Sequence, residues 1–150
     1  MIGELTPEQI NAVLFNEVVG RIACSSDGRI YIVPITYVFD GDAVYGHSAE
    51  GLKIRMMRAN PHVCFEVDQR ENLANWRSVI AWGVYEELHG KPAFDALQLL
   101  VARLAPVVNS ETIRLPDALP VTGAKAPLDA PKNVIYRIRL VERTGRFEKR

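Results

Sequence analysis

The sequence has no apolar run approaching the roughly 18 residues that a membrane-spanning helix needs, so no membrane partner is expected. It has no excess of charge either. Its 18 basic and 18 acidic side chains give a formal net charge of zero, whereas a general nucleic-acid binder carries a basic surplus. Cysteine is scarce: Cys24 and Cys64 each sit inside a strand-like run. They read as buried thiols rather than a disulfide framework, which points to a cytoplasmic location. The three histidines, His47, His62 and His89, lie far apart and form no HExxH or CxxC-type pattern, so no metal site is expected. No GxGxxG follows a strand, which removes the Rossmann dinucleotide site. The opening MIGELTPEQI is acidic and helix-like, not signal-like. There is no internal repeat and no low-complexity segment.

What remains is an ordinary globular balance, 48% hydrophobic and 24% charged, over 150 residues. That is enough chain for one domain, 1–150, with a core of its own. Thr6-Pro7-Glu8-Gln9 reads as a helix start: Thr6 as N-cap, Pro7 in the first turn, Gln9 closing a capping box. Ile10, Val13, Leu14 and Val18 form its apolar face, and Gly20 is expected to end it. RIACSS and RIYIVPITYVF, joined by Asp27-Gly28, read as a hairpin. Asp40 to Asp42 makes a second turn, and AVYGHS returns as a third strand. A short helix capped by Ser48 is expected through AEGLKIRMMRAN, stopped by Asn60-Pro61. HVCFEVD is the fourth strand. After a loop, WRSVIAWGVYEEL is the fifth, with Gly83 permitting a bulge. KPAFDALQLLVARLAP is a second long helix with Phe94, Leu97, Val101 and Leu104 on one face. The Pro-rich segment from Val107 to Lys132 reads as an irregular excursion before the closing strand NVIYRIRLVE.

Strands in a meander pair antiparallel. The fold class is therefore mainly β with flanking α, six or so antiparallel strands that fit a small closed or split β-barrel carrying helices at its ends. In the long second strand, Tyr31, Val33, Ile35, Tyr37 and Phe39 face one side, and Ile30, Ile32 and Val38 the other. A barrel interior covers only one of these faces, so the other is expected to meet a helix or a second subunit, giving a homodimer.

Three places could carry chemistry. Pro34 cannot donate to a ladder; it marks either an edge strand or a break that frees backbone groups of Ile35 and Thr36 for a planar heterocycle, with Tyr37 as an aromatic wall. At VYGHSAEGLK a strand ends where a helix begins, and unpaired N–H groups there suit a phosphate. Ser48 offers a hydroxyl, Gly51 a close backbone approach and Lys53 a charge, within a local basic group that includes Arg55 and Arg58. Trp76, Arg77 and Ser78 follow a loop at a strand start and would suit a second side of the same phosphate.

Five elements together, the Gly20-Arg21-Ile22-Ala23 start, VPITY, HSAEGLK, NPHVCF and WRSV, resemble the FMN-binding split-barrel proteins related to pyridoxamine 5′-phosphate oxidase. The likeness is nearer to the flavin-nucleotide-binding group that includes the nitroimidazole-resistance proteins. It covers Gly20 to about Leu88, with an echo in VIYRIRLVERTGR. It implies a six-stranded antiparallel split β-barrel that dimerises, with FMN between the subunits. Pro34 to Tyr37 would border the flavin ring, Ser48 and Lys53 would hold the phosphate, and Trp76, Arg77 and Ser78 would lie beside it. His47 matches a histidine that faces the flavin site. The C-terminal substrate-binding Arg and His pattern of the vitamin oxidases has no counterpart in the sequence.

The expected function is thus an FMN-binding flavoprotein, an oxidoreductase for a small molecule such as a nitro-aromatic. His47, pointing away from Ser48 by strand alternation, would be the catalytic proton donor. The alternatives are a non-catalytic flavin-binding module and a haem-binding split barrel.

Overall fold

The computed structural model describes residues 1–107 and 133–150. The capping box forms as the sequence predicts. Thr6 Oγ1 accepts the Gln9 N–H at 3.2 Å, and Gln9 Oε1 accepts the Thr6 N–H at 2.9 Å. These bonds satisfy two end groups of α1 (Pro7–Asn16). The helix stops earlier than expected: Val18 lies beyond it and Gly20 lies within β2 (Val19–Ser26). Asp27 and Gly28 turn the chain at φ 53° and 76°, the pair of positive values that a two-residue hairpin turn demands. β3 (Arg29–Thr36) then pairs with β2 along its whole length, Val19 opposite Thr36 through Ser26 opposite Arg29.

The expected single strand RIYIVPITYVF is split at Tyr37. Its N–H donates to the Val18 carbonyl at 2.9 Å, and β4 (Val38–Phe39) turns away to pair with β5 (Ala43–Ala49). α2 (Leu52–Ala59), β6 (His62–Asn72) and β7 (Asn75–Leu88) follow. β7 itself runs without a bulge at Gly83: the register shift between Trp82 and Gly83 comes from one extra residue, Val141, on β8, because Trp82 faces Glu142 and Gly83 faces Leu140 while both stay in register with β6. α3 (Gly90–Leu104) leads into a 3₁₀ turn, Ala105–Val107. Its buried residues are Ala96, Leu97, Leu100 and Leu104, while Phe94 stays 42% exposed. The apolar face is therefore rotated from the predicted one, toward the Val38 and Tyr45 side chains that it covers. The excursion predicted from Val107 to Lys132 lies, after Val107, outside the described residues.

β8 (Asn133–Glu148) runs six residues beyond its predicted end. Its second half holds no alternating apolar signal, yet β7 on one side and β1 (Ile2–Glu4) on the other give it partners. Among the described residues the antiparallel sheet has eight strands, in the order β3-β2-β6-β7-β8-β5-β4, with β1 on β8. The terminal strands β3 and β4 are not paired with one another, and the sheet curls around one core as a split barrel. Its inner face is filled by Ile22, Phe65, Val67, Val79, Tyr136 and Ile138 with Met57 from α2, all fully buried. Each large side chain removed from water in this way contributes about 1.5–3 kcal/mol. No helix among the described residues is long and apolar enough to cross a membrane.

Candidate functional site

The turn between β5 and α2 has an unusual lack of internal satisfaction. Ser48 does not cap the helix; its hydroxyl donates to the Ala49 carbonyl at 2.8 Å. The N-cap is Gly51, which has no side-chain oxygen, and the first turn holds no acidic residue. The leading N–H groups of α2 therefore keep their partial positive charge without a side-chain acceptor. Lys53 lies in that first turn and is half-buried. Burial holds its ammonium below the ordinary lysine range, offset in part by Cys24 nearby. No acidic side chain within the described residues forms an ion pair with it.

His47, opposite Ile135 on β5, adds to this. Its Nδ1 is buried without a hydrogen-bond partner among the described residues. Burial, and then the charge of Lys53, push the imidazole below its ordinary pKa, so without a ligand it is neutral at pH 7. Strand alternation was expected to carry His47 away from the phosphate side. It separates His47 from Ser48, but Lys53 comes round on α2 and stays within electrostatic reach of the ring. One residue back, Gly46 faces Tyr136 on β8. A Cβ on Gly46 would lie 2.5 Å from the Tyr136 hydroxyl, so only glycine leaves room for that ring. The Tyr136 hydroxyl is likewise buried and unpartnered. Buried polar atoms are satisfied in the great majority of cases. In the described residues the two exceptions are His47 Nδ1 and Tyr136 Oη: Lys53 lies within electrostatic reach of His47, whereas Tyr136, opposite Gly46, projects from the other face of the sheet into the core.

The other predicted residues fall elsewhere. The ladder does not open at Pro34, which stays in register opposite Arg21. β3 is instead the terminal strand of the sheet, so its backbone is available along its outer edge. Pro34 and Thr36 face outward, and Ile35 faces the core at 7% exposure. Tyr37 forms no wall at the surface. It is fully buried, donates its hydroxyl to the Leu14 carbonyl at 2.8 Å and meets Phe65 edge to face at 5.0 Å. A large aromatic beside an apolar strand serves the core as readily as a pocket, and here the core takes it.

Trp76, Arg77 and Ser78 are not brought to the Lys53 corner within one chain. Ser48 lies opposite Val134 and Trp76 opposite Glu148, at the two ends of β8, roughly 45 Å apart along the strand path. Trp76 and Arg77 line a separate cleft of about 480 Å³ with Gln9, Gln69 and Phe147. The Trp76 indole N–H donates to Glu148 there at 3.1 Å.

The two cysteines also part company. Cys24 is buried and faces inward, whereas Cys64 is only half-buried, on the outer face with Trp82 and Ile30. Sequence reasoning missed Tyr136, whose alternating strand reads simply as core, and the ion pairs around Arg58, which join α2 to Glu87 on β7, 29 residues along the chain.

The groups in hand suit an anion joined to a planar ring. At the corner stand helix N–H groups and a lysine without partners among the described residues, with an imidazole. Elsewhere in the sheet, β3 is a terminal strand with an open outer edge. Solved structures agree with this architecture. An FAD-binding protein from Mesorhizobium loti is similar over 99% of both chains, with 29% identity and a TM-score of 0.75. The FAD-binding protein from Mycobacterium smegmatis is similar over 97% of this chain and 98% of its own, with 25% identity and a TM-score of 0.63. A candidate 5-nitroimidazole antibiotic resistance protein from Bacteroides thetaiotaomicron shares the fold, at 16% identity and a TM-score of 0.72 over 98% of this chain and 87% of its own. An uncharacterised protein of Rhizobium meliloti (strain 1021) is 37% identical over 84 residues, a match that spans 56% of each protein. A family model described as pyridoxamine 5′-phosphate oxidase matches residues 6–147, almost the whole chain, and the chain belongs to that family.

Proposed function

We propose that this protein binds a flavin nucleotide, FMN, as a homodimer and works as an oxidoreductase on a small molecule, a nitro-aromatic or similar acceptor. One observation carries the reading: Lys53, the N-terminus of α2 and His47 Nδ1, none with a side-chain partner among the described residues, lie at one corner. A 5′-phosphate there would meet a cation and helix N–H groups at once. The flavin-binding description of two relatives with 29% and 25% identity supports the choice of ring. The 5′-phosphate is common to FMN and FAD, so the corner fits either nucleotide.

When bound, the flavin supplies the electron chemistry, and the protein supplies binding and tuning. Lys53 and the first turn of α2 hold the phosphate. The outer edge of β3 at Pro34, Ile35 and Thr36 offers backbone groups to the ring. His47 is neutral in the empty corner. An anion beside Lys53 offsets the charge that depresses it, so the imidazole then holds a proton more readily and can pass it to a reduced substrate.

The homodimer reading draws on the outer face of the sheet. Ile30, Ile32, Trp82 and Val141 are 75%, 62%, 41% and 68% exposed, around an apolar groove of about 580 Å³. An apolar patch of this kind suits a protein partner. A second copy would also give Trp76, Arg77 and Ser78 a route to the other chain's flavin, which they lack within their own.

The test is the visible spectrum of protein purified from cells, with mass spectrometry of the released cofactor and light scattering at micromolar concentration. Flavin absorption, released FMN and a dimer are expected. Released FAD would correct the nucleotide. A Soret band without flavin, or a monomer that holds flavin tightly, would contradict the proposal.

A further inference from the structure

Arg77 is a cation that the fold leaves unsatisfied. By strand alternation it lies on the face of β7 that buries Val79 and Ala81, with Trp76 and Ser78 on the other. Its cross-strand neighbours are Gln69 on β6 and Phe147 on β8, and neither is acidic. Among the described residues Arg77 has no hydrogen bond and no ion pair. Arg143, further along the same face opposite Ala81, is satisfied: Nη1 donates to Asn11 Oδ1 at 2.7 Å and Nη2 to the Gly41 carbonyl at 3.1 Å. Arg21, Arg137 and Arg139 each meet a carboxylate.

What sets Arg77 apart from an open surface arginine is its place in the cleft of about 480 Å³, a size that suits a small molecule. The start of α1 borders this cleft through Leu5 and Gln9. The capping box engages Gln9 Oε1 with the Thr6 N–H at 2.9 Å, so the amide NH₂ is the end left over. The Gln69 side chain has no partner among the described residues either. Arg77, Gln69 and Gln9 thus bring donors without acceptors. Leu5 is buried, and the Phe147 ring lies across β1, where a Cβ on Gly3 would come within 2.8 Å of it. These two give the cleft an apolar wall. Donors without acceptors suit an anion, and the guanidinium fork matches a planar carboxylate. The remaining charges limit that anion to a single negative charge. Glu71 and Glu148 line the cleft against Arg77 and Lys149, so the lining is neutral in sum and opposes a doubly charged phosphate. Glu148 is already engaged by the Trp76 indole N–H at 3.1 Å.

We propose that this cleft is a second ligand site, for an aromatic monocarboxylate: Arg77 and the amide groups of Gln69 and Gln9 take the carboxylate, and Leu5 and Phe147 take the ring. The site lies at the other end of β8 from the β5–α2 corner. It goes beyond the flavin reading and does not rest on it.

The experiment is an NMR titration of the isotope-labelled full chain with benzoate, benzamide and inorganic phosphate, on the parent and on Arg77→Gln. Benzoate is expected to shift the side-chain amides of Gln9 and Gln69 and the backbone signals of Arg77 and Phe147. Benzamide, which has the ring and no charge, should bind about tenfold or more weaker. Arg77→Gln should weaken benzoate about tenfold or more and leave benzamide within about threefold. Phosphate should leave the cleft signals in place. The comparison of benzoate with benzamide needs no variant and holds even if Arg77→Gln folds poorly. The inference is overturned if benzoate moves no cleft signal, if benzamide binds as tightly, or if Arg77→Gln binds benzoate as the parent does. Phosphate that displaces benzoate from the same signals would overturn the monocarboxylate. Benzoate shifts confined to the β5–α2 corner would overturn this site and leave the phosphate reading standing.

Discussion

Two fully buried tyrosines sit in one barrel under opposite terms. Tyr37, at the α1 side, gives its hydroxyl to the Leu14 carbonyl. Tyr136, beside the β5–α2 corner, gives its hydroxyl to nothing among the described residues. The cations show the same division. Arg137 and Arg139 on β8 share the carboxylate of Glu86 at 2.7 and 2.8 Å, while Lys53 holds a half-buried charge with no carboxylate partner among the described residues. Where the fold only has to stand, polar groups are paired. Groups left unpaired among the described residues carry some cost in stability, which at Lys53 the proposed phosphate would offset.

The largest contrast is expected between the tyrosines. Tyr37→Phe leaves the Leu14 carbonyl without its donor in the core and should cost about 1–3 kcal/mol in denaturant unfolding. Tyr136→Phe deletes a hydroxyl that has no partner, and stability should stay within about 0.5 kcal/mol of the parent or rise. Equal losses would mean that the Tyr136 hydroxyl is satisfied after all.

The charged groups give a smaller contrast. Glu86→Gln leaves two arginines side by side. Both are more than a third exposed, so solvent screening limits the loss to about 0.5–1 kcal/mol. Lys53→Ala, by comparison, should leave the melting temperature unchanged or higher. Hydrogen bonds from Arg139 and Arg137 hold the Glu86 carboxyl below its ordinary range. Its contribution is therefore complete above its unfolded pKa, about 4.3, and is lost as pH falls through the lower folded value. A stability profile from pH 7 to pH 3 should show the parent and Glu86→Gln converging at the acid end.

The smallest effect concerns His47. Its folded pKa is below the unfolded value of about 6.5, so the neutral form is favoured on folding. That contribution is present above pH 6.5 and is lost on acidification. Proton NMR titration should place His47 below the ordinary histidine range in free protein. FMN should move it upward and riboflavin should not. An upward shift of the same size with both ligands would detach the imidazole from the phosphate.

Much of the framework was legible because its signals are local. The capping box at Thr6 and Gln9 and the Asp27-Gly28 turn each follow from a few adjacent residues. β1 has only three residues and no local signal; it exists because the end of β8 offers it an edge. The role of Tyr37 was hidden for a related reason. An aromatic at the end of a strand has the same appearance in sequence whether its hydroxyl meets solvent or the Leu14 carbonyl 23 residues earlier. The candidate site was half legible. HSAEGLK named the corner, but the pairing of Glu50 with Arg58 and the approach of Tyr136 to Gly46 depend on β7 and β8, far along the chain.

The central claim is that Lys53 is kept unpaired for a phosphate, and the most direct measurement is the affinity of FMN and riboflavin for the parent and for Lys53→Ala. A charge-assisted hydrogen bond is worth about 1.5–3 kcal/mol, so FMN should weaken about tenfold or more while riboflavin, which has no phosphate, holds its affinity. Equal weakening of the two ligands, or no weakening of either, would contradict the account.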